Sequence, residues 1–181
     1  MHKILSFYEF CDLDEDKVTK NKNKIIETSK NNSILGTIIL SIEGINGTVS
    51  GSSDSIDILN QLMKDLGYKC NIKFSVSKKK PFKRLKVKIQ KEIVTFMNLG
   101  KSAKNTGTFI APEDWDDFIS NEDVKLIDVR NFYETVIGKF PKSIDPNTET
   151  FTDFIDYIDK ELSSNKDQKI AMYCTGGIRC E

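Results

Sequence analysis

Six short segments in the first 77 residues change their apolar spacing in a fixed order, and few folds accommodate that order. Residues 4–10 are apolar and aromatic and read as a strand. Residues 14–30 are polar and lysine-rich, with Val18, Ile25 and Ile26 as apolar points, and read as a weakly amphipathic helix. Residues 34–42 are rich in β-branched side chains. Residues 44–50 are the neighbouring strand across a tight turn, punctuated by Gly44, Gly47 and Gly51, with Asn46 and Gly47 expected to supply positive φ. The clearest helix is 53–66: Ser53 and Asp54 suit its N-cap, Ile56, Leu59, Leu62, Met63 and Leu66 fall at helical spacing, and Gly67 stops it. Ile72, Phe74 and Val76 then alternate through 71–77, the period of a half-buried strand. Strand, helix, strand, strand, helix, strand is the ferredoxin-like α+β unit. A further strand at 84–90 sets Leu85, Val87 and Ile89 on one face, expected buried, and Arg84, Lys86 and Lys88 on the other.

The later part of the chain reads differently. Pro112 fits the first turn of a helix at 112–120, with Glu113 and Asp114 favourable at its N-terminal end and Trp115 and Phe118 as core anchors. Residues 124–129 are a strand ending in Asp128-Val129-Arg130. Residues 152–162 are a helix with Phe154, Ile155, Ile158 and Leu162 inward, and 170–173 are a short all-apolar strand of the kind found inside a parallel sheet. Alternating strands and helices indicate an α/β unit. The expected organisation is a domain at 1–91, a connector at 92–108 containing Gly100, Lys101, Ser102, Lys104, Asn105 and Gly107, and a second domain at 109–181.

Charge separates the two parts. Residues 1–110 hold 19 Lys/Arg against 11 Asp/Glu, and residues 111–181 hold 8 against 16, so a net charge of zero conceals two opposite halves. From Lys69 to Lys104 there are 12 basic residues and one acidic residue, Glu92. Such asymmetry points to a nucleic-acid partner for the first half, with solvated strand faces as the plain alternative. The candidate contacts are Lys78, Lys79, Lys80, Lys83, Arg84, Lys86 and Lys88, which would meet phosphates. Phe82, among them, suits either stacking on an unpaired base or packing in the core. No apolar run approaches the roughly 20 residues that span a bilayer, and the N-terminus is too short and too soon charged for a signal peptide. No membrane partner and a cytoplasmic location are expected.

The chemistry concentrates at Cys174-Thr175-Gly176-Gly177-Ile178-Arg179-Cys180-Glu181, entered from the 170–173 strand. Backbone N–H groups of a tight loop can converge on an anion, and together with a nearby Arg they lower a thiol's pKa. The four cysteines, Cys11, Cys70, Cys174 and Cys180, are too few for a disulfide scaffold and include no CxxC pair. The single histidine is His2, so neither a Cys–His pair nor a His-rich metal site is available, and no metal is expected. A reactive cysteine here must be activated by backbone donors and arginine. The plain alternative for Cys174 is a buried, inert thiol. Cys180 suits either a resolving thiol or a packing residue behind the loop.

The string CTGGIRCE closely resembles the active-site loop of the rhodanese superfamily, and more narrowly that of the rhodanese-domain enzymes that hydroxylate the wobble uridine of bacterial tRNA. Three more blocks resemble the same family in the same order: LSIEGINGTVSG at 40–51, FKRLKVK at 82–88 and LIDVRNFYE at 126–134. The resemblance implies an acylphosphatase-like first domain, which shares the ferredoxin-like topology, and a rhodanese-like second domain that is incomplete here because members of that family continue past the loop. It implies Cys174 as the catalytic cysteine, reactive as a persulfide. Thr175, Gly176, Gly177 and Ile178 would supply N–H donors, Arg179 would close the ring, and Asp128 and Arg130 would support the loop. Four residues separate Cys174 from Arg179, where phosphatases with a similar loop have five, which favours a sulfur atom over a phosphate.

The implied reaction is oxygen-dependent 5-hydroxylation of the wobble uridine. It calls for molecular oxygen as co-substrate, no bound cofactor, and tRNA as partner. A rhodanese-type sulfurtransferase is the alternative from the loop alone. A third reading is an inactive truncated or split fragment that needs a second polypeptide for the missing C-terminal part. Asn131, Tyr133 and Glu134 have no assignable chemistry from sequence, and Glu43 and Asn46 read as turn residues.

Overall fold

The structure, a computed structural model, describes residues 1–96, 106–164 and 166–181. It divides into two compact units, Met1–Val94 and Thr95–Glu181. Gly100, Lys101, Ser102, Lys104 and Asn105 of the expected connector lie outside the described residues. No helix among the described residues is long and apolar enough to cross a membrane.

The first unit runs β1 (His2–Phe10), α1 (Glu15–Asn31), β2 (Leu35–Ser41), β3 (Gly44–Gly51), α2 (Ser53–Asp65), β4 (Asn71–Ser77) and β5 (Leu85–Ile89). The five strands form one sheet in the order β4-β1-β3-β2-β5, antiparallel except for the β2–β5 pair. This is the ferredoxin-like arrangement with one strand added beside β2. The pleat separates the two faces. Leu5, Phe7, Ile38, Leu40, Ile45 and Val49 form a core with Val18 and Ile25 of α1 and Ile56, Leu59 and Met63 of α2, while Ser6 and Thr48 lie on the other face with their hydroxyls 3.1 Å apart.

Both helices start at a polar cap. The Asp14 carboxylate accepts from the Lys17 N–H at 2.7 Å, and the Ser52 hydroxyl accepts from the Ser55 N–H at 3.1 Å, so the second cap falls one residue before the expected Ser53. The apolar stripe of α1 includes two polar members, Asn21 and Ser29, and Asn21 donates to the Tyr68 hydroxyl at 3.0 Å.

Three expectations for this unit are corrected. The hairpin between β2 and β3 turns at Ile42 and Glu43, and the residue with positive φ is Gly44 (φ 143°), not Asn46 or Gly47. Asn46 lies within β3 and donates to the Ile93 carbonyl at 2.8 Å, while the Glu43 carboxylate accepts from the Ile93 N–H at 2.6 Å. Glu43, which is in the turn as expected, and Asn46, which is not, therefore both anchor the chain leaving β5. Second, β4 is less buried than its alternation implies: Phe74 is 49% and Val76 is 70% exposed, because β4 is an edge strand with β1 as its one neighbour in the sheet. Third, β5 is the opposite edge, and Ile89 on its supposedly buried face is 44% exposed.

The second unit contains α3 (Pro112–Ser120), β6 (Val124–Asp128), the short α4 (Phe132–Thr135), a helical stretch over 151–162, and β7 (Lys169–Tyr173). The 151–162 stretch is not uniform. It begins as a tight 3-10 turn (Phe151–Asp153), relaxes into α5 (Phe154–Tyr157) and widens further to a π turn (Ile158–Leu162). Strands β6 and β7 pair in parallel, and Ile144 adds a parallel bridge to Ile127. Trp115, Phe118 and Ile119 of α3 pack on Val124, Leu126 and Ala171, and the 151–162 helix packs on Ile127, Val129 and Cys174. Helices thus cover both faces, as an α/β layer requires. The reading of the last strand as wholly buried is corrected at Met172, which is 38% exposed.

Candidate functional site

A buried carboxylate and a half-buried guanidinium fix the strand ends that hold the cysteine. Asp128, fully buried, accepts from Arg130 Nε at 2.8 Å, Arg130 Nη2 at 2.7 Å, the Arg130 N–H at 3.1 Å and the Tyr173 hydroxyl at 2.6 Å. Arg130 also donates to the Gly138 carbonyl at 2.6 Å. Burial opposes ionisation of Asp128, but the hydrogen bonds from Arg130 and Tyr173 outweigh it and hold the carboxyl below its ordinary range. The same pairing pushes Arg130 up. Tyr173 is the last residue of β7, and its carbonyl accepts from the Val129 N–H at 3.1 Å. Asp128 and Arg130 therefore fix the residue before Cys174, through side-chain hydrogen bonds that run to each other, Tyr173 and Gly138.

Beyond Tyr173 the chain bends around the sulfur of Cys174. The Gly177 N–H donates to Cys174 Sγ at 2.9 Å, and Gly177 itself adopts φ 97°, a left-handed conformation open to glycine, which turns the chain onward into Ile178–Cys180. The Cys180 N–H then bonds the Gly177 carbonyl at 2.9 Å, closing a 3-10 turn over Ile178–Cys180. A hydrogen bond from the Cys180 thiol is the largest influence on Cys174. Burial works against it, and the N–H groups of Arg179, Gly177 and Gly176 add to it, so that the thiol is lowered from 9.0 to about 5. Cys180 shifts the other way, because it donates to that sulfur and is itself buried, and so keeps its proton.

The remaining cysteines show what burial does without such donors. Cys11 is pushed up to about 11 and Cys70 to about 12, chiefly by burial. Of the four, Cys174 alone is shifted towards the thiolate, the form that acts as a nucleophile.

One residue of the site had no legible role in the sequence. The Glu134 carboxylate takes Arg179 in a two-pronged pair, with Nη1 to Oε2 at 2.7 Å and Nη2 to Oε1 at 2.8 Å, and accepts the Thr175 hydroxyl at 2.5 Å. It also accepts from the Asn131 N–H at 3.2 Å in a capping box at the start of α4. The hydrogen bonds from Arg179 come first among the causes that lower Glu134 to about 2. Burial works against the charge on Arg179, but Glu134 overcomes this and raises its pKa. An Asn followed three residues later by Glu is the available sequence signal, and it marks a helix start, not a catalytic site.

The basic candidates lie in the first unit. Lys78, Lys79, Lys80, Lys83 and Arg84 occupy the exposed connection from β4 to β5, the two opposite edges of the sheet. Lys86 and Lys88 follow on β5 in register with Thr37 and Ile39, and Phe82 is half-buried. Among the described residues, no cluster of three or more His, Cys, Asp or Glu side chains could hold a metal ion.

A ferredoxin-like unit followed by an α/β unit that carries an activated cysteine at a strand end defines the class. The chain belongs to the family described as the UPF0176 acylphosphatase-like domain, which matches residues 2–93. Among curated proteins it is 43% identical to a tRNA uridine(34) hydroxylase of Picosynechococcus sp. across 98% of this chain and 60% of that protein. It is 43% identical to the protein of that name from Prochlorococcus marinus across all of this chain and 61% of the relative, and 41% identical to one from Acinetobacter baumannii across 98% and 56%. The chain thus spans about 60% of the length of these relatives.

Proposed function

We propose that this chain carries the tRNA-binding and cysteine-bearing parts of a tRNA wobble-uridine hydroxylase, acting in the cytoplasm on uridine 34 with molecular oxygen as co-substrate. The observation that carries this reading is 43% identity, over nearly the whole chain, to proteins named for that activity. Cys174 is the reactive group, as a thiolate or as the persulfide formed on it. The donors that hold the thiolate would equally hold the outer sulfur of a persulfide, which carries the same single negative charge. The basic connection and β5 supply phosphate contacts for the tRNA.

Nucleoside mass spectrometry of bulk tRNA tests this, in a host without its own wobble-uridine hydroxylases that expresses the chain or its Cys174→Ala variant. The expected result is 5-hydroxyuridine with Cys174 and none with alanine. Persulfide on Cys174 and sulfur transfer to an acceptor, with no 5-hydroxyuridine, would support a sulfurtransferase instead.

A further inference from the structure

We infer that Glu134 is a positioning residue for Cys174, closing the cysteine loop by tying Thr175 and Arg179, which flank the turn, to the start of α4. Its part in catalysis rests on the function proposed above; its effect on the sulfur does not.

None of the hydrogen bonds described for Glu134 reaches the sulfur, so its action is indirect. The donors that converge on Cys174 belong to Gly176, Gly177, Arg179 and Cys180, all within six residues of chain. A short glycine-containing segment keeps that shape only if something outside it holds both ends. β7 holds the first end through Tyr173. Glu134 reaches both the first loop residue, Thr175, 41 residues on, and the Arg179 side chain, 45 residues on, its one carboxylate accepting three hydrogen bonds.

This is not an ordinary surface ion pair, whose contribution is small. The Arg179 and Glu134 side chains are 13% and 18% exposed, and the contact is a two-pronged guanidinium–carboxylate pair, the arrangement that adds orientation to attraction. Glu134 is itself fixed by the Asn131 N–H, and α4 by the Phe132 N–H bonding the Thr148 carbonyl at 2.8 Å.

Two effects of removing Glu134 oppose each other, so the sign is informative. Loss of a negative charge near the loop would make Cys174 more acidic. Loss of the tether would let Arg179 and Thr175 swing away and the N–H donors drift, making it less acidic. Hydrogen bonds weaken steeply with angle and distance, whereas charge at one residue's remove is softened by the intervening guanidinium, so the tether dominates. The charged and titratable groups around the sulfur are Cys180 and Arg179 of the loop, Glu181 beside Cys180, and Tyr157 of the helix packed on this cluster.

The test is the pH dependence of iodoacetamide alkylation of Cys174, followed by mass spectrometry on the tryptic peptide 170–179, which holds no other cysteine. In Glu134→Ala the midpoint rises, and the rate at about pH 6 falls roughly two- to tenfold, as expected for a shift of one to two pH units. Glu134→Gln keeps an acceptor for Thr175 and loses only about twofold in rate. A midpoint that stays or falls in both variants overturns the proposal. If the alanine variant fails to fold by near-ultraviolet circular dichroism, Glu134→Gln and Thr175→Val decide, each expected to raise the midpoint. If the unmodified chain makes no 5-hydroxyuridine, the functional reading fails while the alkylation result stands. If it does, Glu134→Gln lowers kcat and leaves KM for tRNA unchanged.

Discussion

Removing the Cys180 thiol should make Cys174 measurably less acidic. The hydrogen bond from the Cys180 thiol acts on the Cys174 sulfur more strongly than the three backbone donors, and burial opposes all of them. A hydrogen bond to a charged group contributes about 1.5–3 kcal/mol. At about 1.4 kcal/mol per pH unit, Cys180→Ala moves the Cys174 midpoint up by roughly one to two units from its value of about 5. The thiolate fraction at about pH 6 then falls from roughly nine-tenths to between one-half and one-tenth.

The assay is again alkylation of the 170–179 peptide across pH, and the midpoint is the quantity to read. The plateau rate is a poor guide, because a more basic thiolate is intrinsically the better nucleophile and partly offsets its own scarcity. Cys180→Ser restores an O–H donor in nearly the same place and keeps the midpoint near that of the unmodified chain. The reasoning is refuted if the alanine profile superimposes on the unmodified one. It is equally refuted if serine and alanine shift the midpoint alike, since packing and not donation would then be the cause.

Asp128→Asn leaves the Arg130 charge without its partner and disturbs the Tyr173 hydroxyl, so urea unfolding should show a loss of about 3–5 kcal/mol. Gly44→Ala places a methyl group against the Glu9 carbonyl oxygen of β1 at φ 143°, and should cost at least about 1–3 kcal/mol, read as a lower Tm. Glu134 is depressed from 4.5 to about 2, so its contribution to stability is fully present above 4.5 and lost as pH falls through about 2. Melting temperatures followed through that window should fall less steeply in Glu134→Gln. Replacing Lys78, Lys79 and Lys80 with alanine should weaken tRNA binding and make its logarithmic salt dependence shallower by about two to three, and an unchanged slope would remove these residues from the interface.

Much of the fold could be read from periodicity because each signal was local. The two helices of the first unit obey apolar spacings that a single window contains, and the order of the strands followed from their sequence order. The corrections arise where position in the sheet matters. Phe74 and Val76 alternate as core residues do, yet they sit on an edge strand, and nothing within 71–77 says which strand is an edge. Asn46 next to Gly47 has the composition of a turn, but Gly44 supplies the positive φ and Asn46 spends its amide on Ile93, 47 residues on. Met172 lies in an apolar run and is partly exposed, because apolar composition does not specify how many neighbours a strand has.

The cysteines make the same point chemically. Cys11, Cys70 and Cys174 are all partly buried thiols, and burial raises all three. Only Cys174 reverses direction, because converging donors outweigh the loss of solvent. The glycines and the arginine that make this possible were visible beside it in the sequence. The carboxylate that steadies them was not, since Glu134 reaches the loop only through tertiary structure. The activated sulfur therefore belongs to two segments: 174–180 supplies the donors, and 131–134 supplies the constraint that keeps them aimed. A variant that retains the whole CTGGIRCE string while losing Glu134 should have the motif without its chemistry, and for that reason the loop sequence alone is an incomplete criterion for a reactive cysteine in chains of this kind.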